Sequence, residues 1–346
     1  MDFQILGFIL CLSLAFLLIF FIVMKKNFIE KIGNDYNPIQ KIHEYYTPPL
    51  GGIVIIICFY LYLSLFHKSS FYLNWYVFVP LMLVTISGLF EDLYSNVSPK
   101  LRLLIIFVSS IIFCIGNNKF PSLELPLIGN LINDYFLIKL LFYSTALAAL
   151  TNGTNMIDGM NGLAGLTIIS ILLSILGLSH LHTNLNIEIN SILLLIGLIT
   201  VFLIFNFPWG KIFLGDAGSY CLGMLLGMSV ISIFESKELN TWIAVILLFY
   251  PTTEVIFSTF RKFIQKKNPM SPDLNHLHIK LYYALKGPVE RSREFNSFTT
   301  LCLMPFWISP LLLVMWSNYY SHLSFYLSMI MFMLYLAYYF FIPEKK

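Results

Sequence analysis

Residues 3–24 read FQILGFILCLSLAFLLIFFIVM, twenty-two residues without one charge. A helix of roughly 20 apolar residues crosses the hydrocarbon of a bilayer. The stretch is too long for a signal-peptide core, and no small-residue cleavage site follows it. Lys25 and Lys26 come after it instead of before it, so it reads as a retained first transmembrane helix. Outward from it, similar runs recur near 50–66, 75–90, 101–116, 135–151, 163–179, 190–206, 217–234, 241–258, 297–317 and 321–342. The shortest, 75–90 and 101–116, would borrow residues from their flanks.

Composition agrees: 58% of the 346 residues are hydrophobic and 11% charged, where a soluble domain has about 25% charged. Such a chain cannot cover a water-facing surface. The expectation is an all-α integral membrane protein with about 11 transmembrane helices, forming one polytopic domain over 1–346. Cys11, Cys58, Cys114, Cys221 and Cys302 each lie within an apolar run and form no CxxC pair. They read as small apolar fillers, not as a disulfide or zinc framework. Nothing in the sequence points to nucleic acid as a partner.

The basic residues orient the chain. Taken alternately, one set of connections and the C-terminal tail holds seventeen Lys and Arg and the other set three, with Lys139 inside a helix. Positive charge stays cytoplasmic, so the N-terminus is expected outside and the C-terminus inside. The connection 259–296 alone carries eight Lys and Arg and is expected to be a basic cytoplasmic loop that binds an anionic substrate.

The dense polar segments all fall on that cytoplasmic side. They are Pro48-Pro49-Leu50-Gly51-Gly52; Glu91-Asp92 followed by Lys100 and Arg102; Asn152 to Gly162; Phe213 to Ser219; and Asp273 to His278. Their recurrence on one face points to one composite site at the membrane boundary. Carboxylates there are costly unless solvated, paired or bound to a cation, so Glu91-Asp92 is either a solvated helix end or a metal or proton-transfer pair. Lys100 and Arg102 can meet phosphates. In TNGTNMIDGMNGLAG, Asn155, Asp158 and Asn161 stand three apart and would share a face if helical; with Asn152 they offer the hard oxygens that Mg²⁺ prefers. In FLGDAGS, the glycines beside Asp216, Gly215 first, would let backbone N–H groups approach a phosphate at a helix N-terminus, with Asp216 on the bridging cation. His276 and His278 in SPDLNHLHIK have no third ligand for zinc; amid so many basic residues they suit a polyanion.

At these residues the chain resembles the polyprenyl-phosphate N-acetylhexosamine-1-phosphate transferases, the membrane superfamily that initiates O-antigen, enterobacterial common antigen and teichoic acid synthesis and includes the lipid I-forming enzyme of peptidoglycan synthesis. The acidic pair, the NxxNxxDGxNGL segment and the FLGDxGS segment match in order. The resemblance implies attack of undecaprenyl phosphate on the β-phosphorus of a UDP-N-acetylhexosamine, GlcNAc by default, with release of UMP at the cytoplasmic face of a bacterial inner membrane. It implies Mg²⁺, with Mn²⁺ as a substitute, on Asn155 and Asp216. Glu91 and Asp92 would position or deprotonate the lipid phosphate. Asp158, the third catalytic carboxylate, would line the nucleotide site with Asn161. Lys100 or Arg102 would contact phosphate, and Asn152, Gly51, Gly52, Gly215 and Asp273 would complete the substrate surround. His276 and His278 match an HxHH motif that grips sugar and pyrophosphate. Three positions depart from the pattern: Glu91 stands for the usual Asp, Asn161 for a frequent Asp, and Ile279 for the last His. With no histidine triad of the lipid I enzyme, the O-antigen and teichoic-acid type is favoured. The resemblance leaves room for a homodimer. The rival classes are a secondary transporter, whose site would sit on broken helices near the midplane, and a non-catalytic relative.

Overall fold

The computed structural model describes residues 3–25, 47–95, 97–124, 129–182, 185, 187–236, 238–268, 273–286, 292–317 and 321–343. Lys26, Lys31, Lys41, Lys237, Arg291, Lys345 and Lys346, which enter the charge asymmetry, lie outside the described residues. The fold is all-helical. The principal helices are α1 (Phe3–Met24), α2 (Gly51–Phe66), α3 (Trp75–Tyr94), α4 (Pro99–Asn117), α5 (Phe136–Ile157), α6 (Leu163–Leu181), α7 (Ile189–Asn206), α8 (Gly215–Phe234), α9 (Thr241–Leu247), α10 (Phe249–Ile264), α11 (Leu277–Lys286), α12 (Ser292–Cys302), α13 (Ser309–Ser317) and α14 (Ser321–Phe341). Among the described residues, eight helices are long and apolar enough to cross a membrane, or nine if the bent pair α9 and α10 is counted as one span, against the eleven expected. The chain is a multi-pass membrane protein.

Two of the expected uninterrupted spans are broken, each at proline. The run 241–258 divides at Leu248, where α9 and α10 meet at 83°. Pro251 lacks an N–H, and its ring clashes with the carbonyl four residues back, at Leu247, where α9 ends. The run 297–317 divides into α12, a short turn Met304–Trp307, and α13. Pro305 and Pro310 stand near the starts of the second and third pieces, where a missing N–H costs least. α2 has 16 residues, shorter than a full span.

α8 is the axis of the bundle, buried at every residue but Asp216 and Ser232 and packed on α2, α3 and α5. Small residues make this approach close. A Cβ on Gly52 would lie 2.1 Å from the Gly218 Cα, and one on Gly88 2.4 Å from the Ala217 nitrogen. At the entrance to α8 two connections pair through their backbones. Gly51 N–H donates to Phe213 O and Gly52 N–H to Leu214 O, both at 2.9 Å, while Phe213 N–H donates to Pro48 O at 3.0 Å. The first-turn donors of α2 are thus satisfied by the chain that leads into α8. The outer faces of the bundle expose large apolar side chains, among them Leu17, Phe21, Ile57, Leu104 and Leu137, as a lipid-facing surface does.

Candidate active site

The site is built on the first turn of α8. Gly215 holds φ +80°, and a Cβ there would stand 2.3 Å from Pro49 O and 2.7 Å from Asp92 Oδ2, so the position demands glycine. A helix leaves its first N–H groups without intrahelical partners. Here Asp216 N–H donates to Asp92 Oδ1 at 2.9 Å and Ala217 N–H to Asp92 Oδ2 at 3.0 Å. The anion seated on this helix N-terminus is therefore the chain's own Asp92, where sequence reasoning expects a phosphate; the helix dipole reinforces the contact.

Asp216 projects beyond that cap. Its Oδ2 accepts from Arg102 Nη1 at 2.6 Å and its Oδ1 from Asn155 Nδ2 at 2.7 Å. The Asn155 amide also donates to Ser219 Oγ at 2.9 Å. Arg102, in the first turn of α4, is delivered by the Ser98 side chain, which accepts the Leu101 N–H, and by Pro99 behind it. Glu91 and Asp92 part company despite adjacency. Glu91 Oε2 accepts the Val97 N–H at 3.0 Å and Oε1 stands 3.7 Å from Arg102 Nη2, so it braces the α3–α4 turn. Lys100 is exposed on the same turn.

The Asn-rich segment is not one helical face. α5 continues through Asn152 and Asn155 and ends at Ile157; Asp158 is its C-cap, and Gly162, at φ +79°, opens α6. Burial pushes the Asp158 carboxyl well above the usual carboxylate range, and the charges of Asp216 and Asp92 push the same way. Asn152 donates to Met156 Sδ at 3.5 Å. Asn161 is turned inward: its Nδ2 donates to Pro208 O at 3.1 Å and Ser297 Oγ at 3.3 Å, and its backbone N–H and C=O are held by Asn296 and Thr300.

The basic loop closes over this segment. Its residue Asp273 is paired with Arg261, accepts the Asn275 N–H at 2.9 Å and lies 3.9 Å from Lys262 Nζ. Burial pushes its carboxyl up, but the Asn275 N–H and the neighbouring cations outweigh this and hold it below its ordinary value. His276 and His278 stack with centroids 5.7 Å apart. The His278 ring reaches the Asn-rich segment, since a Cβ on Gly159 would be 2.7 Å from His278 Nε2. Burial, with His276 adding to it and Glu254 opposing, pushes the His278 imidazole down to about 4. The residue that sequence reasoning missed is Glu254, 1% exposed, whose carboxylate takes His276 Nδ1–H at 3.1 Å and the Leu277 N–H at 3.0 Å. Its only signal is a lone carboxylate in the apolar FYPTTEVIF.

Among the described residues no three His, Cys, Asp or Glu side chains form a metal cage by themselves. The Asp216 carboxylate oxygens are hard donors, and the Asn155 side chain beside them carries an amide oxygen of the same kind. They fit Mg²⁺, which is commonly held by one or two carboxylates together with substrate phosphates.

The cluster sits at the ends of membrane-length helices, and comparison places the chain in a family. The family described as Glycosyl transferase family 4 matches residues 74–234, from the start of α3 to the end of α8. The chain is 29% identical over 241 residues to the undecaprenyl-phosphate alpha-N-acetylglucosaminyl 1-phosphate transferase of Thermotoga maritima, covering 69% of each. It is 26% identical over 278 residues to a probable undecaprenyl-phosphate N-acetylglucosaminyl 1-phosphate transferase of Bacillus subtilis, covering 78% of this chain and 75% of the relative. To a phospho-N-acetylmuramoyl-pentapeptide-transferase of Buchnera aphidicola it is 30% identical over 297 residues, covering 78% and 79%. The chain belongs to glycosyl transferase family 4, in the polyprenyl-phosphate N-acetylhexosamine-1-phosphate transferase superfamily.

Proposed function

We propose that this protein transfers N-acetylhexosamine-1-phosphate, with GlcNAc as the first sugar to test, from a UDP-sugar to undecaprenyl phosphate at the cytoplasmic face of a bacterial inner membrane. The observation that carries the reading is the convergence of Asp216, Asn155 and Arg102 on the first turn of α8, with Asp158 close enough to feel the Asp216 charge. A lipid-phosphate oxygen attacks the β-phosphorus, the bond from that phosphorus to the α-phosphate bridging oxygen breaks, and UMP leaves. Bound Mg²⁺, held by Asp216 and Asn155, would neutralise charge that builds up on the phosphates. Arg102 turns from Asp216 toward a phosphate oxygen, the charge-assisted contact its guanidinium favours. Asp92 keeps the α8 first turn rigid, so Asp216 is presented without reorganisation. Asp158, whose raised affinity for a proton makes it a stronger base than an ordinary carboxylate, accepts a proton from the attacking phosphate.

Purified protein incubated with undecaprenyl phosphate and a panel of UDP-N-acetylhexosamines should release UMP and give a lipid-pyrophosphoryl sugar identified by mass. No UMP from any donor sinks the reading. A second reading, transfer of phospho-N-acetylmuramoyl-pentapeptide, draws on the Buchnera relative; the sequence His276-Leu277-His278-Ile279 in place of a run of histidines weighs against it. Including UDP-N-acetylmuramoyl-pentapeptide in the panel decides between them. Orientation is tested by single cysteines at Gln265 and Ser69, both exposed, in a variant without native cysteines. In intact cells an impermeant thiol reagent should label position 69 and spare 265; the reverse pattern places the site on the wrong side for UDP-sugars.

A further inference from the structure

Among the described residues no hydrogen bond holds the Asp158 carboxylate, and the charges of Asp216 and Asp92 repel it. Its aim is therefore set through its backbone, by whatever holds the turn 158–162. That turn is gripped from outside at its last two residues. Gly162 N–H donates to Asn206 Oδ1 at 2.6 Å. Asn161 N–H donates to Asn296 Oδ1 at 2.6 Å, and Asn161 C=O accepts from Thr300 Oγ1 at 2.7 Å. Asn296, Ser297 and Thr300 stand on one face of α12, and all three are buried. A helical threonine ordinarily returns its hydroxyl to the carbonyl four residues back. Thr151, Thr167 and the neighbouring Thr299 do so; Thr300 instead reaches across to another segment. Ser297 extends the grip to a second connection. Its Oγ donates to Pro208 O and accepts from Asn161 Nδ2 at 3.3 Å, while Asn161 Nδ2 also donates to Pro208 O at 3.1 Å. From Pro208 the chain passes Ile212, whose carbonyl accepts from Asn206 Nδ2 at 2.8 Å, and enters α8 at Gly215 and Asp216. One polar face of α12 thus ties the turn behind Asp158 to the connection that delivers Asp216. The same contacts require an amide at 161, because a carboxylate there has no hydrogen to offer the Pro208 carbonyl.

We propose that Thr300 is a positioning residue for the transfer step: with Asn296 and Ser297 it fixes the 158–162 turn, and so holds the Asp158 carboxylate in place relative to Asp216. The inference rests on the transferase reading and adds to it residues from a helix outside the site motifs. Thr300 is sealed in the packing, with its hydroxyl on a backbone carbonyl. It acts on the aim of Asp158 and not on the binding of the donor. Its loss should therefore appear in kcat and spare KM.

The test uses the full chain in detergent, with undecaprenyl phosphate and the UDP-N-acetylhexosamine that the wild type accepts. Thr300→Val keeps the shape and removes the hydroxyl, whereas Thr300→Ser keeps the hydroxyl. Each is assayed for kcat and donor KM, titrated with UDP by calorimetry, and melted in parallel. Thr300→Val should lose about tenfold in kcat, within what a small displacement of a catalytic group costs, while donor KM and UDP affinity stay at the wild-type values. Thr300→Ser should recover most of that loss. Combined with Asp158→Asn, Thr300→Val should cause no further loss, because the threonine acts through that carboxylate. An unchanged kcat in Thr300→Val, whatever its melting temperature, overturns the proposal. So does a loss confined to KM, a Thr300→Ser as slow as Thr300→Val, or losses that multiply in the double variant. Should Thr300→Val fail to fold, Ser297→Ala, which frees the Pro208 carbonyl and the Asn161 amide, enters the same cycle under the same criterion. A wild type that releases no UMP from any donor removes the transferase reading itself. An active wild type with an equally active Thr300→Val removes only the role assigned to α12.

Discussion

The cluster at the head of α8 and the cluster on α10 are built in opposite ways. At α8, Asp216 and Arg102 keep 24% and 19% of their side chains exposed, and negative charge is in excess: Asp216 and Glu91 share one guanidinium, and Asp158 feels the charges of Asp216 and Asp92. On α10 and its loop, Glu254 and His276 keep 1% and 7% of theirs, and each carboxylate has its partners: Glu254 has the His276 ring and the Leu277 N–H, and Asp273 has Arg261 and Lys262. The carboxylates that lie outside the spans titrate differently: burial, with the Asp216 and Asp92 charges adding to it, drives Asp158 above its ordinary value, whereas at Asp273 the Asn275 N–H and the neighbouring cations outweigh burial and hold it below. A partly open cluster with surplus negative charge suits the bound cation proposed for it. A balanced, sealed one holds a shape.

Breaking the open cluster should cost most. Asp216→Ala is expected to lower UMP release about a thousandfold or more, the scale of losing the main electrostatic group of a transfer site, while the protein still elutes as a single species. A chelator should do the same to the wild type, and Mg²⁺ should restore it; full turnover after chelation would break the comparison at its centre. Asp92→Asn comes next. The amide leaves one of the Asp216 and Ala217 N–H groups facing a donor, so turnover should fall about a hundredfold and the melting temperature with it; near wild-type turnover would remove Asp92 from the machinery.

Asp158→Asn sharpens the contrast because activity and stability should move in opposite directions. Turnover should fall about tenfold to a hundredfold, the low end of a proton-transfer role. The folded state raises the Asp158 pKa, so it binds that proton more tightly than the unfolded chain. The stability this contributes is present below the ordinary value of 3.8 and is lost as pH rises through the folded value. The variant should therefore melt above the wild type at pH 8, by about 2–4 °C, with the gap closing as pH falls. A wild type that melts higher at pH 8 would contradict the excess-charge account. The smallest effect belongs to Glu91→Asp, which shortens a turn brace that sits 3.7 Å from Arg102. Turnover within about threefold of wild type is expected, and a loss as deep as that of Asp92→Asn would show that the two neighbours share a task.

Much of this was legible in the residues. The apolar runs mark the long helices to within a few residues, and the Asn155, Asp158 and Asp216 motifs converge as the resemblance implies. The two prolines at 305 and 310 and Pro251 were visible too, yet apolar runs alone read straight through them, because hydropathy does not register a missing N–H. Asn161 looked like its neighbours at spacing three, but α5 ends before it and the side chain turns into the packing around Pro208 and Ser297. Glu254 carried too little local signal to be singled out.

The sequence by itself determined that this chain enters a membrane and which face is basic, since both follow from sums over neighbouring residues. It also supplied the oxygen-rich motifs. What only the tertiary structure decided is the division of labour among like residues. Asp92 caps a helix that begins 123 residues later, Arg102 meets Asp216 across 114, and Glu254 meets His276 across 22. Hydrogen bonding and charge pairing depend on distance in space, and no local pattern encodes which two of eighteen carboxylates will be sealed with a partner and which will be left with charge to spare.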